Sequence, residues 1–175
     1  LIAWARGGLS WAGLREVLEE TTLTSASLFS VLIGAWIFSN FVNLAGLPEG
    51  LLATVTALDL GPWVVMGLIL LIYIALGCIF ESMSMLLLTV PIFFPLVTSL
   101  GFDPVWFGII VVVVTEISLI TPPVGLNVFV LKGVVGDVST GTIFRGVTPF
   151  WLVDILRLIL LLIFPALVLF LPGQM

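Results

Sequence analysis

Apolar residues in this chain fall in long unbroken runs, with polar residues gathered at a few points between them, a pattern that predicts membrane-crossing helices. Thr24 to Leu44 is uncharged over 21 residues, about the length needed to span a hydrocarbon core of roughly 30 Å. Residues 1–23 before it hold Arg6, Arg15, Glu16, Glu19 and Glu20, and read as a polar lead-in at a membrane surface. Leu47-Pro48-Glu49-Gly50 then breaks the pattern and opens a connector to Gly61 without Lys or Arg, which the positive-inside rule places outside. A second apolar stretch, 62–98, is interrupted by Glu81-Ser82-Met83-Ser84 just after Gly77. Asp103-Pro104 supplies an N-cap and a first-turn proline for a helix ending near Ile120. A shorter run, 126–135, follows, then a polar loop with Lys132, Asp137 and Arg145, and a last span over 149–172 with an expected kink at Pro165. Trp63, Trp106 and Trp151 each follow a proline that opens an apolar run, so they are expected to mark helix starts at headgroup level.

Thr121-Pro122-Pro123-Val124-Gly125 stops the 104–120 helix abruptly. Two successive prolines remove two amide donors and exclude the preceding residue from regular helix, so nearby carbonyls lose their partners. Seventeen helical residues rise about 25 Å, which puts the break well inside a bilayer. Irregular backbone survives at that depth only where protein or water lines it. Two half-helices meeting at a polar turn make a re-entrant hairpin, and such turns are where secondary transporters hold ions and substrates. Thr121 adds a hydroxyl, Gly125 permits close approach, and Asn127 both donates and accepts. The double proline therefore favours a hairpin over 104–135 and a single broken crossing over 62–98. The converse, two crossings over 62–98 and a full crossing after 104, satisfies the charge rule equally, with Arg6, Arg15, Lys132 and Arg145 cytoplasmic in both.

Other polar positions inside the apolar runs divide between functional and structural readings. Gly77 with Glu81, Ser82 and Ser84 either faces the proline turn, or marks a tight crossing of helices at Gly77, or forms a short surface loop in which Glu81 is solvated. Glu116 is deep enough that an ionised carboxylate needs a partner, and it either binds a cation or proton or ties the hairpin together. Asp154 and Arg157, three apart on one helix, pair with each other. Cys78 is a small packing residue.

Composition narrows the chemistry. The 175 residues are 61% hydrophobic and 9% charged, far from the roughly 25% charged of soluble domains. The expected fold class is an all-α polytopic membrane protein embedded in the lipid bilayer. There is no histidine and Cys78 is the one cysteine, which excludes imidazole bases, histidine or thiolate zinc sites and an intrachain disulfide. A net charge of -5 with no basic patch excludes nucleic acid as a partner. A start at Leu1 reads as the C-terminal portion of a longer protein.

Gly77-Cys78-Ile79-Phe80-Glu81, Pro91-Ile92-Phe93-Phe94-Pro95, Leu100-Gly101-Phe102-Asp103-Pro104, Phe107-Gly108-Ile109 and the run from Glu116 to Asn127 carry a resemblance. Over nearly its whole length the chain resembles the C-terminal part of the large membrane permease subunit of TRAP (tripartite ATP-independent periplasmic) transporters. The resemblance implies an elevator-type, sodium-coupled importer of small organic anions in the bacterial inner membrane, multi-pass, not an enzyme, and without an organic cofactor. The substrates it implies are C4-dicarboxylates, sialic acids and other small carboxylates, delivered by a periplasmic binding protein, and the partners include a small four-helix membrane subunit. Position by position, a sodium (Na+) site would fall on Gly77, Ser118, Thr121 and Val124, through backbone carbonyls and the Thr121 hydroxyl, with Pro122, Pro123, Gly125 and Asn127 shaping the turn. Ser118 stands where the family commonly has glycine, and Glu81 where it often has aspartate. The first half of the subunit, with a further sodium site, is expected to lie outside this chain, so these residues alone should not transport. No residue is assigned to the substrate.

A membrane scaffold or assembly subunit with no ion site of its own is the alternative from another class. An intramembrane hydrolase has hydroxyls and acids in Ser82, Ser84, Glu81 and Glu116, but no histidine or lysine base beside them.

Overall fold

The computed structural model describes residues 10–136 and 138–174, so Arg6, the rest of residues 1–9 of the expected lead-in, and Asp137 lie outside them. The described residues are helical almost throughout: α1 Trp11–Leu44, α2 Leu47–Ala57, α3 Pro62–Gly77, α4 Ser82–Ser99, α5 Pro104–Ile120, α6 Leu126–Val135, α7 Thr140–Ile163 and a one-turn α8 Ala166–Leu169. Three of these helices, α1, α4 and α7, are long and apolar enough to cross a membrane, while α3, α5 and α6 are shorter apolar helices.

Several boundaries differ from the sequence reading. The lead-in from Trp11 onward is already helix, because Ser10 caps the Gly13 amide at 3.1 Å and nothing before Ala45 breaks the backbone. Pro48 opens α2 instead of breaking a helix, since a first-turn proline gives up only an amide that has no intrahelical partner. Lys132 lies in α6 and Arg145 in α7, and α7 starts at Thr140, capped by Ser139, with Pro149 inside it. Helix α7 ends at Ile163 just before Pro165.

Helix α5 is the centre of the bundle and packs against α3, α4, α6, α7 and α8. Its buried face, from Trp106 and Phe107 through Ile110, Val111 and Val114 to Ile117, meets Val65, Met66, Ile69 and Tyr73 of α3 and Met85, Phe93 and Val97 of α4. At one end Trp63 lies edge-on to Phe102 and Trp106, with centroids 5.2 and 6.2 Å apart. At the other end Gly77 touches Ser118. Thus α3 and α5 run in the same direction, and α4 returns the chain between them. The reversal of the chain therefore lies in residues 62–99, not in 104–135 as the double proline suggested.

Contacts along α7 show what happens after the break. Trp106 lies against Leu161, Thr121 against Trp151 and Gly125 against Phe144, so the chain from 104 to 125 advances steadily toward the start of α7. Only residues 136–139 separate α6 from α7, and α6 buries just Val128. A segment folded back along α5 would bury a whole face. The expected 104–135 hairpin is thus an interrupted, through-running crossing: the prolines stop the helix, but packing on α7 sets the direction in which it resumes. The hairpin belongs to α3 and α4, and its tip stops short, because α7 continues from Trp151 for eleven residues to Thr140.

Helix α1 follows α4 in the same direction, with Leu28, Phe29 and Leu32 lining a cleft beside Met83, Ser84 and Leu87, and Pro48 and Leu52 beside Pro95 and Leu96. Arg15, Lys132 and Arg145 consequently share one end of the bundle, together with Glu16, Glu19 and Glu20, while Glu49, Asp59 and Asp103 occupy the other. The positive-inside rule counts Lys and Arg and assigns the end that holds them to the cytoplasm.

Candidate functional site

The site is built where two helix breaks meet. Helix α3 ends at Gly77, and a Cβ placed on Gly77 would collide with the Cβ and Oγ of Ser118, so only glycine lets the hairpin tip approach α5 this closely. Ser118 is fully buried, and its hydroxyl donates to the Thr115 carbonyl at 2.5 Å. One turn on, α5 stops at Ile120, because Thr121 takes an extended conformation (φ -79, ψ 131) ahead of the prolines.

Thr121 is 8% exposed and closely held. Its hydroxyl donates to the Ile117 carbonyl at 2.7 Å, its amide donates to the Ser118 carbonyl at 3.2 Å, and the Trp151 indole N–H donates to its hydroxyl oxygen at 2.9 Å. The Pro122–Pro123 peptide is cis, and both rings are exposed. Gly125 ends the turn in the left-handed region (φ 58), which favours glycine, with Phe144 3.2 Å from where a Cβ would stand. Val124 is half-buried within the turn, and Asn127 is exposed in the first turn of α6.

The structure therefore brings Gly77, Ser118 and Thr121 together, with Val124 on the same turn, although they span more than forty residues of sequence. The oxygens they offer are neutral: backbone carbonyls and the hydroxyls of Ser118 and Thr121. Because α3 and α5 run parallel, the carbonyl ends of both point at this place, each carrying about half a negative charge. A small hard cation is the species such oxygens suit. The amino end of α4 also lies here, but Glu81 closes it, accepting from the Met83 amide at 2.8 Å and the Ser84 amide at 3.0 Å, and from the hydroxyls of Ser82 and Ser84. Glu81 is thus an exposed helix cap at the hairpin tip, its carboxylate engaged by the start of α4.

Other sequence expectations resolve differently. Glu116 is exposed on the outer face of α5, with no ion pair among the described residues, so it does not tie a hairpin together. Arg157 and Asp154 pair at 3.1 Å. Cys78 sits half-buried at the end of α3, its thiol directed at the Ile74 carbonyl. Trp106 is buried and donates to the Leu161 carbonyl at 2.9 Å, and Trp151 lies in the middle of α7, so of the three tryptophans only Trp63 sits exposed at a helix start. Two features of the site escaped the sequence: the Trp151 to Thr121 bond, and a buried polar layer below it. In that layer Thr89 bonds the Tyr73 hydroxyl at 2.7 Å, and the buried Thr115 hydroxyl has no partner among the described residues. Thr115 and Thr89, hydroxyls within apolar runs, were the available signal.

The family model described as "Tripartite ATP-independent periplasmic transporter, DctM component" matches residues 1–167. Among similar proteins, the C4-dicarboxylate TRAP transporter large permease protein of Pseudomonas aeruginosa is 35% identical over 158 residues, which is 90% of this chain and 37% of that protein. The sialic acid TRAP transporter large permease protein of Vibrio cholerae is 34% identical over 164 residues, 94% of this chain and 38% of the relative. The ectoine/5-hydroxyectoine TRAP transporter large permease protein of Ruegeria pomeroyi is 32% identical over 167 residues, 93% of this chain and 38% of that protein. The chain thus spans little more than a third of the length of these relatives.

Proposed function

This chain belongs to the DctM component family of tripartite ATP-independent periplasmic transporters and is a multi-pass inner-membrane protein, and from that premise we propose that it forms the ion-holding part of a sodium-coupled permease for small organic solutes. The observation that carries the proposal is the contact between the α3–α4 hairpin tip and the break after α5, where Gly77, Ser118 and Thr121 gather neutral oxygens at two converging helix carboxyl ends. Sodium would be held by the carbonyls of Gly77, Ser118, Thr121 and Val124 and by the Thr121 hydroxyl. It supplies the electrochemical driving force that couples uptake to the ion gradient. The amino end of α6 has no side-chain cap, and its free amides favour negative charge, in keeping with a carboxylate substrate. A small membrane subunit and a periplasmic binding protein would complete the transporter. The relatives' names span a dicarboxylate, sialic acid and ectoine, and no cationic side chain stands at the tip of this chain's hairpin to choose among them.

The test is uptake into proteoliposomes holding the full-length subunit, its small partner and its binding protein, with and without an inward sodium gradient. Gradient-dependent uptake that Thr121→Ala removes, in a complex that still assembles, supports the reading. Unchanged sodium dependence in that variant would leave the turn a structural element of a scaffold.

A further inference from the structure

We propose that Trp151 is a positioning residue for the coupling ion, its indole N–H holding the Thr121 hydroxyl so that one lone pair faces the hairpin tip. The inference rests on the sodium reading above and adds a residue from a different helix to it. A threonine hydroxyl has one proton and two lone pairs. Here the proton goes to the Ile117 carbonyl at 2.7 Å, and one lone pair accepts from Trp151 at 2.9 Å. A single lone pair remains, and because Thr121 is buried, bulk water does not compete to reorient it. The two bonds together fix the torsion of the hydroxyl, which the bond to Ile117 alone, within the same helix end, would leave free to swing about the broken backbone.

Trp151 is well placed to act this way because α7 is itself pinned to α5 at a second point, the Trp106 indole donating to the Leu161 carbonyl at 2.9 Å. The two indole bonds, one from α5 to α7 and one from α7 to α5, prevent α7 from sliding along α5, so the donor arrives at a fixed height beside the turn. The indole also packs against the apolar core and lines a cleft of about 160 Å³ with Ile120, Pro122, Phe144, Val147 and Thr148, so the donor and the ring must be tested separately.

The experiment is a sodium titration of uptake by the full complex in proteoliposomes, comparing wild type, Trp151→Phe, a variant carrying benzothienylalanine at 151, which keeps the ring's shape but not its donor, and Thr121→Ala. We expect both position-151 variants to raise the half-saturating sodium concentration about fivefold, the effect of one net hydrogen bond, with the maximal rate kept. An unchanged half-saturation value in both, alongside loss of sodium dependence in Thr121→Ala, overturns the role of Trp151 and leaves the sodium site standing. A lower maximal rate with unchanged half-saturation also overturns it, marking Trp151 as structural. If Thr121→Ala keeps wild-type sodium dependence, the site itself falls and the role of Trp151 with it.

Discussion

Gly77 and Ser118 are in such close contact that no side chain fits between them, although they lie forty-one residues apart. A methyl group on Gly77 must push the hairpin tip away from α5. Gly77→Ala should therefore destabilise the assembled permease by about 1–3 kcal/mol, the usual cost of overpacking, and weaken sodium-driven uptake. Ser118→Gly removes the atoms a new methyl would strike, so the Gly77→Ala/Ser118→Gly pair should recover part of both losses. Thermal melting of the purified complex, arranged as a double-mutant cycle, measures the coupling.

Thr121→Val keeps the shape of the side chain but removes its oxygen, whereas Thr121→Ser keeps the oxygen. Loss of an oxygen facing a cation costs about 1.5–3 kcal/mol, so Thr121→Val should raise the half-saturating sodium concentration about tenfold or more. Thr121→Ser should stay close to wild type. A sodium titration of uptake separates them, and equal values for the two would remove the hydroxyl from the ion's ligands.

Glu81 accepts two amides and two hydroxyls at the start of α4, and losing a cap of this kind costs about 0.5–2 kcal/mol. Glu81→Ala should loosen the hairpin tip first. Hydrogen exchange should show faster labelling at the Met83 and Ser84 amides while the middle of α5 stays protected. Uniform acceleration would mean that the tip does not open by itself.

Thr115 buries a hydroxyl without a partner among the described residues, an arrangement that costs stability. Thr115→Val is nearly the same shape and removes that cost. We expect it to melt higher than wild type, by about 1 kcal/mol in stability, with sodium dependence unchanged. A lower melting temperature would show that an ordered water satisfies the hydroxyl in the folded protein.

Hydrophobic run lengths and the prolines were enough to indicate an all-helical membrane protein, helix starts at Pro62 and Pro104, and a break at Thr121. What they did not show was the direction of the chain after each break. A double proline reports lost amide donors, but whether the next segment turns back or continues depends on what it packs against, here Phe144 and its neighbours at the start of α7. Gly77 was readable as a point of close approach, yet its partner Ser118 became evident only once α3 and α5 lay side by side. Trp151 was misplaced for a similar reason: Pro149 looked like a helix start, but Ser139 caps the helix ten residues earlier. Glu81 carried a charge that drew attention to function, while the serines after it, at capping distance, were the better guide to its role.

Helix α1 is a single rod of 34 residues, about 51 Å long, in a protein whose surroundings offer roughly 30 Å of hydrocarbon. Such a rod must either lean steeply or stand out of the bilayer by several turns. The charged side chains Arg15, Glu16, Glu19 and Glu20 sit along its first three turns, with Arg15 and Glu19 paired at 2.6 Å on the exposed surface, so the protruding part is the amino end. Along this rod the waterline is drawn by side chains and not by any change in backbone, which leaves a stiff mast over the cytoplasmic face, set in register with α4 and hence with the hairpin it supports.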